Sequence, residues 1–327
     1  MNGLREIVDR FNGKRVVVFG DLVADVFVYG EIARISREAP VLILNHRETQ
    51  VVPGGGANAI HNLWALGAHP IPIGLVGDDA EGRQLLQYFS SLGIDITGIA
   101  VAKAYRTPSK MRILAGAVHS QRQQIVRLDA GSPLRDDKLR TAMERKLKIT
   151  LRDADALLVS DYGYALATPE TVSRIRRNSL TATIDSRFSL MNFSNLTAAT
   201  PNEPEVETAL DISIGNDAKK LEWAGRTLLR KLKHQAVLIT RGKDGMALFE
   251  RGKKTTHIPI HGSDEVADVT GAGDTVIATF TLALAVGATY YEAAQLANYA
   301  GGIVVMKYGT RPVTHRELVE AVDGEAR

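Results

Sequence analysis

Five short apolar runs, RVVVFG (15–20), PIPIGLVG (70–77), DALLVSD (155–161), TATID (181–185) and AVLIT (236–240), recur along the chain with helical patterns between them. The 3.6-residue periodicity places helices over 56–67, 79–92, 135–149, 168–179, 217–233, 273–287 and 290–307. A strand that is apolar at nearly every position must be covered on both faces, and strands separated by helices run parallel. The expected fold is therefore α/β, a doubly wound, mostly parallel sheet with helices on both faces. Two stretches break the rhythm. Residues 22–52 and 107–129 alternate apolar and polar side chains without a helix-length pattern, which predicts antiparallel strands with one wet face. They form a small β-sheet lid inserted into the α/β body, at the place where a substrate cover belongs.

No internal repeat, low-complexity segment or linker divides the 327 residues, so a single domain over 1–327 is expected. Apolar residues make up 45% and charged residues 24%, an ordinary globular balance. With no cysteine there is no disulfide and no thiolate-bound metal, and a cytoplasmic location is the default. The start of the chain lacks the apolar core of a signal peptide. The longest apolar run, 276–288, is too short for a membrane span of roughly 18–20 residues and reads as a core helix. The net charge of +3 comes from 40 basic and 37 acidic residues that are interleaved. Basic clusters such as RIRR (174–177) read as solvated helix faces, so neither nucleic acid nor membrane is an expected partner.

Three glycine- or proline-marked helix starts carry the chemistry. In DVTGAGDT (268–275), Gly271 and Gly273 open a helix whose unpaired N–H groups and dipole attract anions. Asp274 in its first turn is placed to take a proton from a hydroxyl held nearby. The same letters also describe a glycine turn with an aspartate cap. In VVPGGGANAIHNLWALGA (51–68) a second glycine run opens a helix, which is either a ligand approach or a tight connection. Neither cluster has the spacing of a Rossmann fingerprint or a P-loop. In TPNEPEVE (200–207), Asn202 and Glu205 share one face of a helix start. They suit a hydrated Mg²⁺ beside phosphates, or a capping box. LITRGKDGMALF (238–249) reads as strand, glycine turn, strand.

In this order and spacing, GGGAN, TPNEPE and DVTGAGDT resemble the ribokinase/PfkB family of ATP-dependent carbohydrate kinases, and the resemblance runs from VVVFGDLVAD to KYGTRPV. It implies that Asp274 is the base that deprotonates a sugar hydroxyl as it attacks the γ-phosphorus of ATP, with the backbone of Gly271, Ala272 and Gly273 as an anion hole. It implies sugar contacts from Asp25, Gly54, Gly55 and Asn58, with Asp21 a weaker candidate. Mg²⁺ and its waters fall to Asn202 and Glu205, the nucleotide border to Thr240, Gly242 and Gly245, and Asn298 to the vicinity of adenine. Asp268 and Thr270 align with positions that bind a monovalent cation such as K⁺ in some relatives. His61, Trp64 and Trp223 are left as structural.

Within the family, GDLVADVFVYGEIARISREAPV, QQIVRLD, LLVSDYG and DVTGAGDTVIA are similar to the kinases that phosphorylate D-glycero-D-manno-heptose 7-phosphate at its anomeric hydroxyl. Those kinases have Asp-Pro-Lys-Gly where this chain has Asp185-Ser186-Arg187-Phe188, which keeps the acid and a cation. A sugar phosphate needs a cation, and Arg34, Arg37, Lys110, Arg112 and Arg187 are available, Arg112 being carried as the substrate-binding one. No HxGH follows residue 315, so a stand-alone kinase without a nucleotidyltransferase half is expected. The alternatives are a kinase of the same family acting on fructose 1-phosphate, ribose or a nucleoside, or a non-catalytic sugar- or nucleotide-binding member. An exposed lid with an apolar face favours a homodimer.

Overall fold

The computed structural model describes residues 2–116, 123–175, 179–262, 268–307 and 309–324. The parts of the expected lid at 117–122 and of the expected helix at 176–178 lie outside the described residues. In chain order the elements are α1 (Asn2–Asp9), β1 (Arg15–Ile35), β2 (Leu42–Gly55), α2 (Gly56–Ala65), β3 (His69–Gly77), α3 (Ala80–Ser91), β4 (Ile99–Ala102), β5 (Ser109–Gly116) and β6 (Gln123–Ala130). Then come α4 (Asp137–Thr150), β7 (Ala156–Asp161), α5 (Pro169–Ile175), β8 (Thr181–Ser186), β9 (Ala198–Ala199), α6 (Glu203–Leu210), α7 (Ala218–Leu232), β10 (Ala236–Thr240), β11 (Met246–Glu250), β12 (Thr256–Ile258), α8 (Ala272–Ala285), α9 (Tyr290–Val305) and α10 (His315–Gly324).

The main sheet has the order β12-β11-β10-β9-β8-β7-β1-β3-β4. It is parallel from β4 to β10, and β11 and β12 close one edge antiparallel. Side-chain alternation divides the core in two. Val16, Val18, Leu158 and Leu238 pack with α1, α2, α3, α8, α9 and α10 on one face. Val17, Phe19, Leu157, Val159, Val237 and Ile239 pack with α4, α5, α6 and α7 on the other. Burial on both sides contributes about 1.5–3 kcal/mol per large apolar side chain, which keeps β1 in the interior of the sheet, between β7 and β3. The sheet is the mostly parallel, doubly wound one that the alternation predicts.

One strand belongs to two sheets. β1 runs unbroken for 21 residues: Arg15–Asp21 pair with β3 in the body, and Leu22–Ile35 continue into the lid, antiparallel to β2 and parallel to β5. β6 completes the lid beside β5. Val26 is buried in the body core, and Val28, Val51 and Met111 pack against it. Asp25, Phe27, Lys110 and Arg112, one residue out of phase, lie on the opposite side of the lid. The lid thus crosses the carboxyl ends of the body strands, where open α/β sheets bind ligands. Among the described residues no helix is long and apolar enough to cross a membrane.

Candidate active site

The body part of β1, which ends at Asp21, and the carboxyl ends of β7, β8 and β10 bring Asp21, Asp161, Asp185 and Thr240 to one rim, and the N-terminus of α8 lies beside them. Helix α8 is buried from Asp274 to Leu284, as a core helix should be. Its N-cap is Gly271 at φ 79, and no side chain caps the first turn. A β-carbon at Gly271 would lie 2.5 Å from Asn58 Nδ2 and 2.8 Å from Thr310 Cγ2, so the residue is glycine for both conformation and space. A Ser or Thr cap would bond first-turn N–H groups; here no side chain caps them, and the Ala272 N–H donates to the Val269 carbonyl at 3.3 Å.

Asp274 is 4% exposed. Asn58 Nδ2 donates to its Oδ2 at 3.0 Å, and the Tyr162 hydroxyl donates to its Oδ1 at 2.8 Å. Asn58 is itself oriented: Asn62 Nδ2 donates to Asn58 Oδ1 at 3.2 Å, and the Thr275 hydroxyl donates to Asn62 Oδ1 at 3.1 Å. Burial pushes the Asp274 carboxyl up to about 6, against the two donors and the nearby Lys110 ammonium, which favour the charged form. The carboxylate is thus fixed in place and poised near neutrality, as a general base requires.

On the lid side, Arg112 Nη1 pairs with Asp25 Oδ1 at 2.7 Å, both groups nearly buried. Burial raises the Asp25 carboxyl and Arg112 opposes it. A β-carbon on Gly54 would lie 2.6 Å from Asp25 Oδ2, so the glycine gives that oxygen its room. The Lys110 ammonium lies 4.6 Å from the centroid of the Tyr162 ring. Burial lowers its pKa, with repulsion from the Arg187 guanidinium next. Among the described residues neither Lys110 nor Arg187 forms an ion pair. Arg34 and Arg37 sit on the exposed outer part of the lid.

On the body side, a cavity of about 590 Å³ is lined by Asn202, Thr240, Gly242, Gly245, Ala272, Gly273 and Asn298, together with Arg241 and Lys243. This gathers most of the residues expected around a nucleotide. Asn298 Nδ2 donates to the Pro259 carbonyl at 2.8 Å. Asn202 and Glu205 form a full capping box, each side chain accepting from the other's backbone N–H at 2.9 Å. Glu205 also lies near Asp185, and both carboxyls are raised, chiefly by burial. Arg187 favours the charged form of each. Among the described residues no group of three or more His, Cys, Asp or Glu forms a ready metal cage. A pair of crowded carboxylates suits a hydrated Mg²⁺ that is shared with phosphates, the usual manner of Mg²⁺ binding beside nucleotides.

Asp268 and Thr270 lie in the loop that leads into the Gly271 start of α8. Asp268 accepts the Thr270 N–H at 2.9 Å and the Gly309 N–H at 3.1 Å, tying the loop before α8 to the chain after α9. Asp21 faces inward: its Oδ2 accepts the Tyr162 and Tyr164 amides at 2.8 and 3.0 Å, which makes it an anchor for the loop after β7. His61 packs edge-on against Tyr88, 5.2 Å between centroids, away from the rim. Trp64 and Trp223 are partly exposed, at 38% and 53%. Tyr162 was not foreseen as a site residue, because a tyrosine after an apolar strand carries no spacing signal of its own.

Comparison with known proteins follows the same outline. The pfkB family carbohydrate kinase pattern matches residues 14–316. The chain belongs to this family. The bifunctional protein HldE of Geobacter sulfurreducens is 38% identical over 312 residues, covering 93% of this kinase and 62% of that protein. HldE of Coxiella burnetii is 36% identical over 318 residues, covering 96% and 65%. The kinase therefore spans less than two thirds of the length of these relatives. Arabidopsis thaliana ribokinase complexed with ribose and ATP superposes with a TM-score of 0.74 at 20% identity, over 95% of this chain and 99% of that one. Escherichia coli phosphofructokinase-2 in complex with substrates and products gives 0.76 at 18%, over 96% and 100%. These likenesses show the ribokinase-like fold.

Proposed function

We propose that this carbohydrate kinase transfers the γ-phosphoryl of ATP to the anomeric hydroxyl of D-glycero-D-manno-heptose 7-phosphate. The observation that carries the mechanism is the buried Asp274 carboxylate, held by Asn58 and Tyr162 at an uncapped helix start between the lid and the body cavity. The sugar lies under the lid, its hydroxyls bonded by Asp25, Asn58 and the backbone at Gly54 and Gly55, with Arg112 setting the Asp25 carboxylate. ATP occupies the body cavity, bordered by Thr240, Gly242 and Gly245, with Asn298 toward adenine. Asp274 takes the proton of the attacking hydroxyl, and the Ala272 and Gly273 N–H groups after Gly271 receive the charge of the transferring phosphoryl. Glu205 and Asn202 would hold a Mg²⁺ ion, which would supply positive charge to neutralise the phosphates. Lys110 and Arg187, cations near the site without an ion-pair partner among the described residues, suit the 7-phosphate.

The heptose assignment draws on the relatedness to HldE, and one difference favours a second reading. Ser186 donates to Asp161 Oδ2 at 2.7 Å, a bond that the proline of the Asp-Pro-Lys-Gly pattern cannot make. That rebuilt turn supports a family kinase with another acceptor, such as fructose 1-phosphate, ribose or a nucleoside. A panel of these sugars with ATP separates the readings: the true acceptor alone raises ADP production above background. Loss of transfer in Asp274→Asn tells either kinase from a non-catalytic sugar or nucleotide binder.

K⁺ is proposed as an activator through the loop of Asp268 and Thr270. Phosphofructokinase-2 of Escherichia coli has been crystallised in complex with potassium. Exchanging K⁺ for tetramethylammonium in the assay tests it, unchanged turnover being the adverse result. A homodimer through the lid is supported by the exposed Ile32, Ile35, Leu42, Ile125 and Leu128. A cytoplasmic site of action accords with ATP as donor.

A further inference from the structure

We propose that Tyr162 is a positioning residue for phosphoryl transfer, its hydroxyl holding the Asp274 carboxylate in one orientation, with the Asn58 amide on the other oxygen, so that each oxygen keeps a free lone pair for the sugar alcohol. This rests on Asp274 being the base. The hydroxyl donates to Asp274 Oδ1 at 2.8 Å, and the ring that carries it is fixed on three sides. The Tyr162 amide is anchored on Asp21 Oδ2 at 2.8 Å. The ring lies so near Gly55 that a β-carbon there would come within 3.1 Å of Cε2. Over its face stands the Lys110 ammonium, 4.6 Å from the centroid, withdrawing electron density and making the phenol a stronger donor.

Tyr162 does not compete for the proton. Burial, and after it the Asp274 charge, push its pKa well above the ordinary tyrosine value, so it stays a donor throughout the working range. The charged groups facing this pair are Lys110 and Asp25 from the lid, Asp185 from β8 and Glu205 from α6. None of them donates to either Asp274 oxygen, which leaves Tyr162 and Asn58 as the groups that set its direction.

The test is a cycle of Tyr162→Phe, Asp274→Asn and the double variant, followed with ATP and D-glycero-D-manno-heptose 7-phosphate, or whichever sugar of the panel is turned over. Phenylalanine fills the same volume, so the fold and both KM values should hold within about twofold while kcat falls roughly 10- to 100-fold. The acidic limb of the kcat profile should move to higher pH, because the carboxylate loses a donor. In the Asp274→Asn background the tyrosine change should add nothing. Parental kcat in Tyr162→Phe, or an equal further loss in the double variant, overturns the proposal. Parental turnover in Asp274→Asn instead marks failure of the base assignment itself, and the tyrosine role falls with it. Should Tyr162→Phe fold poorly, 3-fluorotyrosine at position 162 keeps the shape and strengthens the donor. It should shift the limb to lower pH, and an unmoved limb would count against the proposal.

Discussion

Asp274 answers two opposed demands at once. Burial makes its charge costly, and the role of base proposed for it requires that charge. Its folded-state pKa of about 6 lies above the ordinary value of 3.8. Between those values the folded protein binds a proton that the unfolded chain has released, so the contribution of this group to stability is full below about pH 4 and is lost as pH rises through 6. With Asp274 as the proposed base, turnover should run the other way, falling as the carboxylate is protonated below about pH 6. Asp274→Asn should therefore lose about 10²-fold or more in kcat, and its stability should fall less between about pH 4 and pH 7 than the parent's, since the titrating group is gone. Rate assays and urea melts on the same preparation check both, and an unchanged pH dependence of stability would contradict the burial argument. Asp21 tells a related story without catalysis. Burial pushes its carboxyl up to about 7, and among the described residues its Oδ1 has no hydrogen-bond partner within normal geometry. Asp21→Asn keeps an acceptor for the Tyr162 and Tyr164 amides and removes the charge. Its stability should vary less between pH 6 and 8 than the parent's. Asp21→Ala, which orphans both amides, should cost about 1–3 kcal/mol for each.

At the scale of elements, the proposed function assigns the sugar to the lid and ATP to the body cavity. Gly54→Ala brings a methyl against Asp25 Oδ2, where only 2.6 Å is available. The sugar KM should rise about tenfold or more with the ATP KM nearly unchanged, since Thr240, Gly242 and Gly245 line a separate cavity. A matching rise in both constants would show that the two sites are not separable. Much of this layout was legible in the sequence because it follows from periodicity. All five apolar runs became body strands, and GGGAN and DVTGAGDT do open the facing helices α2 and α8. What escaped has physical reasons. β4 and β9, at four and two residues, are too short to show a pattern, and they exist because neighbouring strands offer them hydrogen bonds. β1 reads as two elements because its burial changes from two-sided to one-sided at the lid, yet its backbone never breaks. The Tyr162 hydroxyl was invisible because the contact joins residues 112 positions apart.

For the molecule as a whole, the lid is the part that most needs support from outside itself. Its outer strand β6 pairs with β5 alone, and Ile125, Val126 and Leu128 along it are 45%, 42% and 53% exposed. The far end of β1 and β2 adds Ile35 at 66% and Val41 at 56%. Unpaired edges and apolar patches of this kind are covered in stable proteins, and a second lid would cover both. The consequence for the proposed function follows from continuity: β1 carries both Asp25, in the proposed sugar site, and Ile35, in the exposed patch. Docking of two lids would hold Asp25 and Arg112 over the acceptor, whereas a lone lid would pay the ordering cost at every turnover. A Leu128→Glu, Ile35→Glu variant should sediment as a monomer, with the sugar KM raised about tenfold and the ATP KM within twofold of the parent. Its body core is untouched, so its thermal transition should stay close to the parent's. Sedimentation velocity and paired KM measurements decide the matter: a parent that is already monomeric, or a monomeric variant with an unaltered sugar KM, would sever the lid's exposed face from catalysis.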